Sequence, residues 1–263
     1  MNRRKVVNAR GGDRPGERPR WLYGINAVAR RLEVRPGTIR ALHLLRTESS
    51  RRGELADAAQ RAGIAIHDAD QTTLHRLTGS DAHQGVAALA DPFEYADLAG
   101  ILAQASAPIL VLDQVQDPHN LGALIRTAAA VGMAAVVIPR HGAATVTPAV
   151  EKVAAGAVND VPICQAGNLR RCLLDLRELG CWNIGLSPRA EQNLFSLDLP
   201  PRPVLVLGGE TGLRPLVEET CDLRATIPLR GGVESLNASV AGAVAMYEVA
   251  RRLGHLDRSG GRW

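Results

Sequence analysis

Hydrophobic positions along the chain switch repeatedly between helical and strand spacing. The stretch WLYGINAVARRLE (21–33) reads as a helix, IRALHLLR (39–46) as a strand, and SSRRGELADAAQRAG (49–63) as a helix closed by Gly63. GIAIHDAD (63–70) reads as a strand, QTTLHRLTG (71–79) as a short helix and QGVAALADPF (84–93) as a third strand. These predict a small α/β domain over 21–93, and EYADLAGILAQASA (94–107) predicts a linker helix.

From residue 108 the alternation is strict. PILVLD, AAVVIP, VPIC, CWNIGL, PVLVLGG and RATIPL read as strands. Between and after them, NLGALIRTAAAV, TPAVEKVAAGAV (147–158), LRRCLLDLRELG, GLRPLVEETC and NASVAGAVAMYEVARRLG read as helices. Continuous apolar strands alternating with helices predict a parallel sheet covered on both faces, here over 108–256. In such sheets ligands sit beyond the carboxyl ends of the strands, so chemistry is sought in the loops that follow them.

Composition narrows the classes. The 263 residues suffice for one large or two modest domains with real cores. No run of about eighteen apolar residues exists, so nothing is expected to span a membrane. The start of the chain lacks the apolar segment of a secretory signal, so a cytoplasmic protein is expected. Cys164, Cys172, Cys181 and Cys221 have no CxxC spacing and read as reduced, buried thiols. The seven histidines show no zinc-ligand spacing, and no metal is expected.

Charge is informative once divided. Residues 1–20 hold seven basic side chains, among them Arg3, Arg4, Lys5 and Arg10, against two acidic ones; the rest holds 24 basic against 25 acidic. This Gly/Pro/Arg tail reads as disordered, either an electrostatic arm for nucleic acid or a solvated tail that aids solubility. Residues 257–263 read as a second, short tail.

Three strand-end loops stand out: DQVQDPHNLGALIR, GGETGLRP and PLRGGVESLNAS. Each is rich in Gly and small polar residues and feeds a helix, which suits a nucleotide-like ligand. No GxGxxG and no GxxxxGK[ST] is present, which disfavours dinucleotide enzymes and P-loop ATPases. Taken singly, GGETG also reads as a plain turn, and Ser235 or Asn237 as a helix cap. Arg126 is the one charge between Leu121 and Pro139, with only Gly122, Ala123, Ala129 and Ala130 three and four positions away.

NLGALIR (120–126), LVLGGETGLRP (205–215) and IPLRGGVESLNAS (227–239) resemble, in order and spacing, the three motifs of the SpoU/TrmH family of RNA ribose 2′-O-methyltransferases. YGINAVARRL and HQGVAAL resemble that family's N-terminal substrate-binding domain, similar to ribosomal protein L30e. The likeness is strongest to members that methylate a guanosine of 23S rRNA. It implies a C-terminal domain with a deep trefoil knot, a homodimer, and S-adenosylmethionine as cofactor. The cofactor-binding positions would be Leu207, Gly208, Gly209, Glu210, Gly212, Ile227, Pro228, Leu229, Ser235, Leu236 and Asn237. Catalytic positions would be Arg126, Asn120, Glu210, Ser235 and Asn237, with Asn120 orienting Arg126 or capping its helix and Glu210 ordering the cofactor loop or binding Arg126. His119 and Arg126 would contact RNA, either 23S rRNA or a large-subunit assembly intermediate. Alternatives are a tRNA ribose methyltransferase and a non-catalytic ribosome-assembly factor. Two departures stand out: Ala154 lies where the family carries serine, and only Thr211 separates Glu210 from Gly212, one residue fewer than usual.

Overall fold

The computed structural model describes residues 19–46, 49–104 and 108–256. The two tails (apart from Pro19 and Arg20) and the end of the linker lie outside the described residues.

The first unit comprises β1 (Arg20–Tyr23), α1 (Ile25–Val34), β2 (Ile39–Leu45), α2 (Ser50–Arg61), β3 (Ala65–Ala69), α3 (Gln71–Thr78) and β4 (Val86–Ala90). Its sheet runs β1-β4-β2-β3, with β2 and β3 parallel and the other pairs antiparallel. Leu22, Val28, Leu42, Leu55 and Val86 form its core. The helix expected over 21–33 begins only at Ile25. Trp21, Leu22 and Tyr23 pair instead with Leu89, Ala88 and Ala87. Gly24 breaks the run at φ 91°, a conformation that bulkier residues avoid.

A short helix α4 (Leu98–Gln104) leads into the second unit. There β5 (Ile109–Asp113), α5 (Pro118–Ala130), β6 (Ala135–Pro139), α6 (Pro148–Val153), β7 (Ile163–Ala166) and α7 (Leu169–Glu178) come first. β8 (Trp182–Leu186), β9 (Pro203–Gly208), α8 (Pro215–Thr220), β10 (Leu223–Ala225) and α9 (Ala238–Arg252) complete it. All six strands are parallel, in the order β10-β8-β9-β5-β6-β7. Every residue of β5, β6 and β9 is buried, the reason these strands are apolar without alternation. One face carries a core shared with α5, α6 and α9, the other a core shared with α7 and α8.

Three other elements are shorter than expected: the linker helix expected over 94–107 begins only at Leu98, and α6 and β10 end early. α6 stops at Val153 because Ala155 and Gly156 adopt left-handed φ of 52° and 86°, and a single 3-10 turn (Ala157–Asn159) follows. β10 stops at Ala225. The Thr226 amide donates to Gln192 O, off the sheet, and Pro228 has no N–H to extend the ladder.

The units meet where α1 and β1 rest on α6 and the turn after it. Arg30 pairs with Asp160, the Arg20 guanidinium donates to Val146 O at 3.0 Å, and buried Arg31 faces buried Glu151 at 3.8 Å.

Candidate active site

The loop after β5 enters α5 through an N-cap. Asp117 accepts the His119 amide at 2.9 Å, and Pro118 occupies the first turn, where a missing N–H costs nothing. The cap is thus Asp117, not Asn120. Asn120 lies one turn inside, buried, and its Nδ2 donates to Glu210 Oε1 at 3.0 Å. Arg126 and His119 are exposed. No hydrogen bond or ion pair joins Arg126 to Asn120 or to Glu210, so neither expected partner orients it. Helical geometry explains this: six positions at about 100° each turn Arg126 away from the face that Asn120 presents.

The loop after β9 folds back on the end of β5. Gly209 N donates to Asp113 O at 2.8 Å, and Gly212 N to Gly209 O at 3.0 Å, closing a tight turn around Glu210. A Cβ on Gly208 would lie 2.1 Å from the Gly212 carbonyl carbon, and one on Gly209 2.3 Å from Gln114 O. Both obstacles are backbone, so only glycine permits this approach. Asp113, fully buried, accepts the Arg214 amide on Oδ2 at 2.8 Å and the Arg214 guanidinium on Oδ1.

The loop after β10 ends at Asn237, whose Oδ1 caps α9 by accepting the Ser239 amide at 2.8 Å and the Val240 amide at 3.4 Å. Between this loop and the turn after β9 opens a pocket of about 620 Å³. Leu207, Gly208, Gly209, Glu210, Gly212, Ile227, Pro228, Leu229, Ser235, Leu236 and Asn237 all line it, so the structure brings together the whole expected set. The pocket sits past the carboxyl ends of β8, β9 and β10, at the end of a parallel sheet where ligands bind. Its apolar walls with a few convergent polar groups suit a small organic ligand.

Asn120 is joined to this set by its hydrogen bond to Glu210, and Asn120, Arg126 and His119 do not line the pocket. Arg3, Arg4, Lys5 and Arg10 lie outside the described residues. Sequence reasoning missed the Leu186, Ser187 and Pro188 wall, although the strand-end rule applied to CWNIGLSP points to it. It also missed Asp113 and Arg214, whose pairing across the two loops leaves no local pattern. Among the described residues no group of three or more His, Cys, Asp or Glu side chains could hold a metal ion, and no helix is long and apolar enough to cross a membrane.

Comparison with known proteins decides the family. The profile of the SpoU rRNA Methylase family matches residues 107–247, more than half of the sequence. The chain belongs to the SpoU rRNA methylase family. A second profile, for RNA 2′-O ribose methyltransferase substrate binding, matches residues 21–96 of this SpoU-family chain. It is 43% identical over 242 residues to a 23S rRNA (guanosine-2′-O-)-methyltransferase of Xanthomonas campestris, covering 89% of this chain and 97% of that protein. A protein of the same description from Nitrosomonas europaea is 38% identical, with 91% and 94% covered. The crystal structure of an rRNA methyltransferase from Sinorhizobium meliloti superposes with a TM-score of 0.72 at 26% identity, covering 90% of this chain and 88% of that one.

Proposed function

We propose that this SpoU-family protein transfers a methyl group from S-adenosylmethionine to the ribose 2′-OH of a guanosine in 23S rRNA. The observation that carries the reading is the strand-end pocket, lined by every expected cofactor position, in a chain matched along nearly its full length by guanosine-2′-O-methyltransferases of 23S rRNA. The pocket fits the cofactor. The Gly208–Gly209 backbone has no room for a side chain, while Ile227, Leu229 and Leu236 offer an apolar wall. Bound there, S-adenosylmethionine supplies an electrophilic methyl on a sulfonium centre.

The chain's own residues do the rest. Glu210, held by Asn120, fixes the turn against the pocket. Asn237 and Ser235 present polar groups at the mouth. The Arg126 guanidinium favours the developing 2′-oxyanion or holds a neighbouring phosphate, while another group or water takes the proton. His119 contacts the RNA beside it, and the basic residues Arg3, Arg4, Lys5 and Arg10 add sequence-independent attraction to the phosphate backbone.

The reading includes an L30e-like RNA-binding domain over 21–93, a linker over 94–107, a trefoil-knotted domain over 108–256, a homodimer and a cytoplasmic location. Dimerisation is supported by exposed apolar Leu229, Val233, Val240 and Tyr247, on the third loop and along α9. The knot is supported by the pocket being walled by three loops, with the 226–237 segment leaving the sheet before α9.

The test is methyl transfer from labelled S-adenosylmethionine to total RNA from a strain lacking the gene, with wild type and Arg126→Ala in parallel. Label is expected at one alkali-resistant position of 23S rRNA with wild type, and none with the variant. Wild-type protein that neither binds the donor nor labels RNA would replace this reading with a non-catalytic assembly role; label in tRNA would replace the substrate.

A further inference from the structure

Asp113 is fully buried at the end of the central strand β5, and its carboxylate hydrogen-bonds neither Asn120 nor Glu210 but Arg214. Both hydrogen bonds found on its carboxylate among the described residues come from one residue, 101 positions away. The Arg214 amide donates to Oδ2 at 2.8 Å and Arg214 Nε to Oδ1 at 2.8 Å, and Nη2 completes the ion pair at 2.7 Å from the same Oδ1. Asp113 also accepts the Gly209 amide on its own carbonyl at 2.8 Å. A single residue thus holds both ends of the segment 209–214. That segment contains the tight Gly209–Gly212 turn and Glu210, and Arg214 is also the residue from which α8 starts.

We infer that Asp113 and Arg214 are a positioning pair for donor binding: they clamp the 209–214 turn so that the Gly208–Gly209 backbone and Glu210 face the pocket before the cofactor arrives. The inference rests on the proposed function for the identity of the ligand, and on the geometry alone for the clamp. A charge-assisted hydrogen bond on one carboxylate oxygen and a backbone amide on the other suit this task, because together they fix direction as well as distance. Lysine does not replace Arg214, since an ammonium carries the charge without the Nε–H that reaches Oδ1. A pre-formed turn spares the ligand the cost of ordering it, so the clamp acts on donor affinity and not on RNA affinity.

The experiment uses the full chain with Arg214→Ala, Arg214→Lys and Asp113→Asn. Arg214 is 43% exposed in its side chain, so its variants should fold even if Asp113→Asn does not. Hydrogen exchange in the ligand-free protein reads the clamp directly. The peptide covering 208–214 should exchange about tenfold faster in Arg214→Ala, with α5 and α9 unchanged. Titration with S-adenosylmethionine should give Kd about tenfold higher in both Arg214 variants, while KM for RNA and kcat at saturating donor stay within about threefold. Unchanged exchange at 208–214 overturns the clamp. Faster exchange with unchanged donor affinity overturns its role in binding. Equal losses in donor KM, RNA KM and thermal midpoint would make the pair merely structural and also overturn it. Wild-type protein that binds no S-adenosylmethionine removes the proposed function as well, so the two failures are told apart by the wild-type titration.

Discussion

The pocket depends on single atoms that are missing. A methyl at position 209 meets the Gln114 carbonyl oxygen at 2.3 Å and its carbon at 2.9 Å, and neither can rotate away. Gly209→Ala is therefore expected to push the turn off β5, costing about 1–3 kcal/mol of stability. Donor affinity should fall with it. Gly232, with nothing within 4 Å of its Cβ position, is the control: Gly232→Ala should bind as wild type. Thermal melts with a donor titration check both, and a Gly209→Ala protein that binds normally would refute the close approach. Sulfur chemistry is likewise set residue by residue. All four cysteines are buried, and burial pushes the Cys172 and Cys221 thiols up to about 12 and Cys164 to about 11. Raised thiol values mean that the folded state holds protons the unfolded chain releases. Their stabilisation is complete below about pH 9 and is lost as pH rises through 9 towards 12. Chemical denaturation should show stability falling above pH 9, less steeply in Cys172→Ala, and native thiols should resist alkylation at pH 8.

At the scale of elements, glycine again decides the sign of a substitution. In a free helix, Gly→Ala gains about 1 kcal/mol. Gly53 in α2 has nothing within 4 Å of its Cβ position, so Gly53→Ala should stabilise by up to about that amount. Gly122 in α5 faces Val153 of α6, whose Cβ would lie 2.7 Å from an added methyl, with Val150 O at 3.0 Å. The clash outweighs the propensity gain. Gly122→Ala should lower stability by about 1–2 kcal/mol, a loss of a few degrees in Tm for a chain of this size. Opposite shifts in Tm for the two variants are expected, and shifts of one sign would contradict the α5–α6 packing. The elements themselves were largely legible. Apolar runs such as ILVLD and VLVLG admit only buried strands when helices alternate with them, and β5 and β9 are buried throughout. Local pattern failed where backbone conformation decided: Gly24, Ala155 and the residues after Ala225 end elements through positive φ or a diverted amide. In the site, the strand-end rule located the pocket loops. It could not reveal that Asn120 reaches Glu210, or Asp113 reaches Arg214, because such pairs are made only when β5 and β9 lie side by side.

The whole molecule is held together across the two sheets by a joint that sequence patterning does not mark. Arg31 is 1% exposed and Glu151 4% exposed. Arg31 spends Nε on Thr38 Oγ1 and Nη2 on Asp91 O, which leaves Nη1 facing Glu151 Oε2 at 3.8 Å. Both of those atoms are buried with no hydrogen-bond partner. Burial pushes the Glu151 carboxyl above the usual range, opposed first by Arg31 and then by Arg20 and Arg35. Burial also lowers the Arg31 guanidinium, with Glu151 acting against it. A pair in this state contributes little as a pair, but either partner left alone is expensive. Arg31→Met should cost about 3–5 kcal/mol, and Arg31→Met with Glu151→Leu should recover most of it. The pH dependence has a definite sign. Without Arg31 the Glu151 value rises further, so the folded form favours the protonated carboxyl. Stability is then retained below the unfolded value and lost as pH rises through the folded one. Urea unfolding of Arg31→Met at pH 5 and pH 8 should therefore show the larger deficit at pH 8, and the double variant should show almost no such difference. Equal deficits at both values would mean that Glu151 is hydrated at the joint and that losing Arg31 leaves no desolvated charge there.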